Sequence, residues 1–168
     1  MTAIDTALLI LRLWLAIVML AHGINHARSI DGTASWFESK GFRQPRLNAR
    51  MSAAGELAIG LGIAGGLLTS FAAAGLIATM TVAFGSIHRF AGFFVFKRPD
   101  EGYEYVATLA IAALALAIVG PGAASIDNAL AIDVTFDGWT GLIIALGGLA
   151  AGVAQLAVFW RRPAPPAA

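Results

Sequence analysis

The chain contains no cysteine among its 168 residues. Disulfides, thiolate metal sites, iron–sulfur clusters and thiol redox relays are therefore excluded within it. Charge is scarce too: Asp, Glu, Lys and Arg make up 12% of residues, against 58% hydrophobic, whereas soluble domains carry roughly a quarter charged residues. At a mean hydropathy of +0.77, a soluble fold would lack the polar surface to stay dispersed. The net charge of +1 gives no reason to expect nucleic acid as a partner, because the basic residues only flank apolar runs. No Glu-x-x-His pair occurs, although di-iron helical bundles are built on that spacing, so no metal is expected. Haem is not expected either. There are three histidines, and only His22 and His88 could face each other across helices.

What the chain does have is a series of apolar runs. A bilayer core takes about 20 helical residues to cross, and the runs predict five spans, at 6–26, 51–68, 71–87, 105–119 and 138–160. Between the first two, the spacing Ser35-Trp36-Phe37-Glu38 has the form of a capping box. It predicts a short interfacial helix over 33–40, with both aromatics dipped toward the acyl chains and Pro45 ending it. Trp139 and Trp160 bracket the last span as interfacial anchors. The first run is read as a retained helix, since no basic segment precedes it and no small-residue cleavage pattern follows it. The expectation is one integral membrane domain over residues 1–168, all-α.

Basic residues set the orientation. Of eleven Lys and Arg, ten (Arg28, Lys40, Arg43, Arg46, Arg50, Arg89, Lys97, Arg98, Arg161 and Arg162) fall on one side of a five-span chain. The opposite connections contain none. Positive charge is retained in the cytoplasm during insertion, so the C-terminus is expected inside and the N-terminus outside. Arg12 is the exception, about two turns below the outer surface. It is read as a structural ion pair with Asp5, two turns earlier on nearly the same face, with Asp127 and Asp133 also able to approach.

On this topology the ionisable side chains gather at the cytoplasmic ends of the helices. His22 and His26 are one turn apart and share a face. Glu56 lies roughly 7–9 Å into the second span, His88 closes the third, and Glu104 opens the fourth. Intramembrane ionisable groups are costly and need a partner or a watery cavity. One reading makes these residues bundle-holding pairs and interfacial headgroup contacts. The other makes them a binding layer, bordered by Phe90, Phe93 and Phe94.

Taken in order, Leu11-Arg12-Leu13, His22-Gly23, Gly55-Glu56-Leu57 with its glycine-rich continuation, His88 before Gly92-Phe93-Phe94, Gly102-Tyr103-Glu104-Tyr105 and Ser125-Ile126-Asp127 resemble the DoxX family of small bacterial membrane proteins. The resemblance spans roughly residues 8 to 127. It departs at His26, where many such proteins carry a lysine, and in the fifth helix, since the family core is a four-helix bundle. The resemblance implies a four-helix transmembrane bundle in the bacterial plasma membrane. The added fifth helix is then a candidate for homo-oligomer or partner contacts. Relatives include a membrane subunit of a thiosulfate:quinone oxidoreductase type and a membrane organiser of soluble redox-defence enzymes. The leading expectation is a membrane redox subunit binding quinone at His22, His26, Glu56, His88 and Glu104, with electrons supplied by a redox partner. A non-catalytic scaffold for soluble partners is the alternative, and a small-solute transporter is third.

Overall fold

The structure, a computed structural model, describes residues 1–96 and 100–163. Lys97 and Arg98, two of the basic residues counted above, and the tail 164–168 lie outside the described residues. The protein is all-α. Among the described residues the sole strand-like feature is an isolated bridge between Phe42 and Trp160.

Helix α1 runs over Ala3–Arg28 and starts on a reciprocal cap, in which Thr2 Oγ1 accepts from Asp5 N and Asp5 Oδ2 accepts from Thr2 N. Two orphan amides are thereby satisfied, and a carboxylate sits at the positive end of the helix dipole. Helix α2 spans Ile30–Ser39 and begins earlier than the sequence suggested. Its cap is Ser29, whose side chain accepts from Gly32 N, whereas the Ser35 hydroxyl donates to Asp31 O inside the helix. Phe37 turns inward against Phe42, Ala49 and Val82, and Trp36 remains exposed. Pro45 does not end α2 but opens helix α3, Pro45–Gly65, at the one position where its missing N–H costs nothing.

Helix α4 extends over Thr69–Ala91. Within it, Phe84–His88 form a π-helical turn, the kind of one-residue bulge that reaims side chains. Helix α5 covers Glu104–Val119 and is broken by Gly120-Pro121-Gly122. Single-turn helices at Ile126–Ala129 and Asp133–Phe136 lead into helix α6, Gly138–Phe159. Among the described residues, three helices are long and apolar enough to cross a bilayer: α1, α4 and α6. Helix α5 is apolar but only 16 residues long, and α3 carries Arg46, Arg50 and Glu56 along its length. Spanning helices imply a lipid environment, and Ile10, Trp14, Ile17, Leu61, Ile111 and Ile143 face outward as lipid-contacting side chains should.

Helices in lipid associate by close packing rather than by exclusion from water. The core joins Leu15, Ala16 and Met19 of α1 to Ile63 of α3, Leu76 and Met80 of α4, Ala113 and Leu116 of α5, and Ala145 of α6. Helix α6 lies on α4 and α5 through Gly141, Ala145, Gly148 and Gly152. Its small-residue stripe is thus spent inside the chain, and the face left outward is Trp139, Ile143, Leu146 and Val153. At the basic end the chain after α6 is sewn to the α2–α3 connection: Arg43 N donates to Phe159 O, Arg161 N to Gly41 O, and Trp160 Nε1 to Lys40 O.

The acidic end is closed by two buried charges. Arg12, 1% exposed, donates from Nε to Ile63 O (2.9 Å), from one terminal nitrogen to Pro121 O (3.0 Å) and Ala124 O (2.8 Å), and from the other to Ala64 O (2.7 Å). The expected ion pair with Asp5 does not form. Asp5 instead accepts from Ala123 N, and Arg12 satisfies backbone carbonyls, two of them at the negative C-terminal end of α3. Asp127 caps α4 by accepting from Leu68 N, Thr69 N and Thr69 Oγ1. Nearby, burial together with the charges of Asp133 and Asp127 pushes the Asp137 carboxyl up to about 6.

Candidate functional site

At the basic end the helices diverge around a cavity of about 840 Å³, within the range of small-molecule sites. Helix α1 contributes His22, Asn25 and His26, α3 contributes Ser52 and Glu56, and α4 contributes Thr79, Met80 and His88. Tyr105 and Leu109 of α5 and Trp36 of α2 complete the walls, with Gln155 reaching in from α6.

Helical spacing explains the first polar unit. His22 and His26 are four residues apart on α1, as Ser52 and Glu56 are on α3, so each pair stacks along one face. The close approach of α1 and α3 brings the two faces together, because Gly23 packs on Leu57 and Gly60 on Leu20. His26 Nδ1 lies 2.9 Å from Ser52 Oγ, and Ser52 Oγ donates to Glu56 Oε1 at 2.7 Å. Glu56 Oε2 is 3.1 Å from His26 Nδ1 yet makes no hydrogen bond, although it is buried. The two observations agree once direction is considered, since the imidazole is near enough for attraction but out of line for a bond. Glu56 itself is only 4% exposed, and a buried carboxylate with an unsatisfied oxygen is costly. The His22 ring stands edge-on to His26, with centroids 6.3 Å apart, and His22 is exposed at the cavity mouth.

The second unit depends on the π-helical turn. It places His88 against the start of α5, with Nδ1 2.6 Å from Glu101 O and Nε2 2.8 Å from the Tyr105 hydroxyl. A carbonyl oxygen can only accept, so Nδ1 carries the proton. In the neutral ring Nε2 then accepts from Tyr105.

The structure therefore brings His22, His26, Glu56 and His88 around one cavity. Glu104 is not among the lining residues; it is the first residue of α5, with its backbone amide donating to Phe93 O. Its neighbour Tyr105 takes the position on the cavity wall. The aromatics expected to border the layer lie elsewhere: Phe90 stacks on Trp160 beneath Arg89 and Arg162, and Phe93 packs on Tyr103. Sequence reasoning missed Ser52 and Tyr105. Ser52 was open to discovery as the residue one turn before Glu56, and Tyr105 as one of the chain's two tyrosines. Among the described residues, no group of three or more His, Cys, Asp or Glu side chains is disposed to hold a metal ion.

Residues 7–89 match the DoxX family model. No curated protein and no solved structure matches the chain. The matched segment holds His22, His26, Ser52, Glu56 and His88, while Tyr105 and Gln155 come from the helices beyond it. With most of its cavity residues inside that segment, this membrane protein carries a DoxX family domain over residues 7–89.

Proposed function

We propose that the protein is a membrane-embedded subunit of a redox system and binds a quinone-type ring in the cavity at its basic end. The observation that carries this reading is the buried Glu56 carboxylate, linked through Ser52 to His26 and set in a cavity that is otherwise largely apolar. A redox-active ring needs a flat apolar slot, polar groups at its oxygens and a proton route. Met19, Met80, Leu109 and Trp36 supply the first. Glu56 and the His88–Tyr105 pair supply the second. The His26 imidazole, next to His22 at the mouth, supplies the third, because an imidazole can take a proton on one ring nitrogen and release one from the other. The chain has no cysteine for an iron–sulfur cluster or thiol relay, so electrons pass to or from a partner protein.

Titration of the purified protein with ubiquinone and menaquinone, each in oxidised and reduced form, tests the proposal. Saturable binding is expected, with its constant altered by both His22→Ala and Glu56→Gln. Absence of saturation, or indifference to both changes, defeats it.

The orientation that accompanies this reading puts the basic end, and so the cavity, at the cytoplasmic face of the plasma membrane. The N-terminus and the loop carrying Asp127, Asp133 and Asp137 then face out. The support is charge asymmetry, since basic connections resist translocation. Reporter fusions at Asp133 and Ala168 are expected to read outside and inside respectively. A cytoplasmic Asp133 fusion would reverse the orientation, and identical readings from both would remove one of the five crossings.

A further inference from the structure

Most of the protons around the cavity are already committed. Among the lining hydroxyls, Ser52 donates to Glu56 Oε1, Thr79 to Gly75 O, Ser86 to Val82 O, Thr33 to His26 O, and Tyr105 to His88 Nε2 in the neutral ring. The imidazoles follow suit. His88 spends its N–H on Glu101 O, and the Nδ1 proton of His26 faces Ser52 and Glu56. Each of these groups can therefore only accept from a further partner: Tyr105 Oη through its lone pairs, neutral His26 through Nε2, and Glu56 through Oε2, which has no hydrogen bond at all. The N–H groups of Asn25 and His22 and the Ser29 hydroxyl belong to exposed residues at the mouth, and Gln155 Nε2 spends one of its two protons on Asn48 Oδ1. Around Glu56 and Tyr105 the polar walls ask for a donor.

That asymmetry separates the two forms of a quinone. The oxidised ring presents two carbonyl oxygens, which only accept; the reduced ring presents two hydroxyls, which donate. We propose that the cavity selects the reduced form, the quinol, with Glu56 as the principal acceptor of a ring hydroxyl and Tyr105 Oη as a second. This inference rests on the reading of the cavity as a quinone-type site and adds which redox form it holds. The carboxylate reaches the ring by turning about its terminal torsion, which has a broad energy profile, and this also relieves the unsatisfied oxygen. A hydrogen bond to a charged acceptor in a buried setting is worth on the order of tenfold or more in affinity.

The experiment is an anaerobic titration of the full-length protein in detergent with decylubiquinol and decylubiquinone, followed by quenching of tryptophan fluorescence, since Trp36 lines the cavity. The quinol is expected to bind roughly tenfold or more tightly than the quinone. Glu56→Gln should bring the ratio close to unity, because an amide both donates and accepts. A purely structural role for Glu56 would weaken both forms alike. Equal binding of the two forms by the wild type, or a parallel loss of both in Glu56→Gln, overturns the inference while the quinone-type reading stands. If neither form saturates, both fall together. The wild-type ratio needs no variant, and Tyr105→Phe, expected to weaken the quinol more than the quinone, gives an independent check should Glu56→Gln fail to fold.

Discussion

Arg12→Leu is expected to destabilise the protein by about 4 kcal/mol or more, a large share of the roughly 5–15 kcal/mol that holds a typical fold together. The substitution keeps a buried apolar stem and removes the guanidinium. The carbonyls of Ile63, Ala64, Pro121 and Ala124 then lose their shared donor at a place that water reaches poorly. Each buried carbonyl left without a partner costs about 1–3 kcal/mol, and the costs do not simply add. Arg12→Lys should recover only part of the loss, since an ammonium is a compact point charge without the planar fork that reaches both the end of α3 and the 121–124 turn. Asp5→Asn provides the contrast. Its carboxylate serves the exposed Thr2 cap and Ala123 N, not Arg12, so the expected loss is small beside that of Arg12→Leu. Thermal melts in detergent, read by circular dichroism, distinguish these outcomes. If Asp5→Asn were as damaging as Arg12→Leu, the two residues would be acting as an ion pair after all.

Gly148→Val is expected to produce the second large effect, the detachment of α6 from the bundle. A Cβ at position 148 would overlap the Ala74 carbonyl oxygen and backbone of α4. Backbone cannot step aside as a flexible side chain can, so the helices must separate. Overpacking of this kind costs about 1–3 kcal/mol or more, and here it also removes the dispersion contacts on which helix association in lipid depends. The measurement is limited proteolysis with melting: the variant should expose the Gly138–Phe159 helix to cleavage and melt earlier. Gly147→Val, one residue along where nothing lies within 4 Å of an added Cβ, should behave as the wild type. Equal behaviour of the two variants would show that α6 is not held by this contact.

What side chains encode was legible in the sequence, and what the backbone decides was not. Apolar runs and basic flanks announced a helical membrane protein, and Glu56, isolated among Gly55, Leu57 and Ala58, stood out because a lone carboxylate in an apolar helix demands a partner. The partners of Arg12 could not be found that way. They are main-chain carbonyls, which every residue has, so no side-chain pattern marks them. Glu104 was expected in the layer, and its neighbour Tyr105 lines the cavity instead: a helix advances about 100° per residue, and the preceding turn sets which neighbour faces inward. Ser52 is a small polar residue whose link to a histidine no pattern in its own helix marks, and α1 brings His26 against it. Only contact between helices gives that hydroxyl its role.

The π-helical turn at Phe84–His88 carries a consequence for the angular phase of α4. An extra residue in one turn offsets everything after it by about one step of the helical wheel. The part of α4 before the turn is phased to interlock with α6 through Ala74 and Ala78. The residues that close the turn are phased to present His88 to α5. A regular α-helix of the same sequence could satisfy one of these alignments and would swing the other out of place. The turn therefore frees the two halves of a single rod to answer to different neighbours, so that the packing seam can be optimised by selection without dragging the histidine along with it.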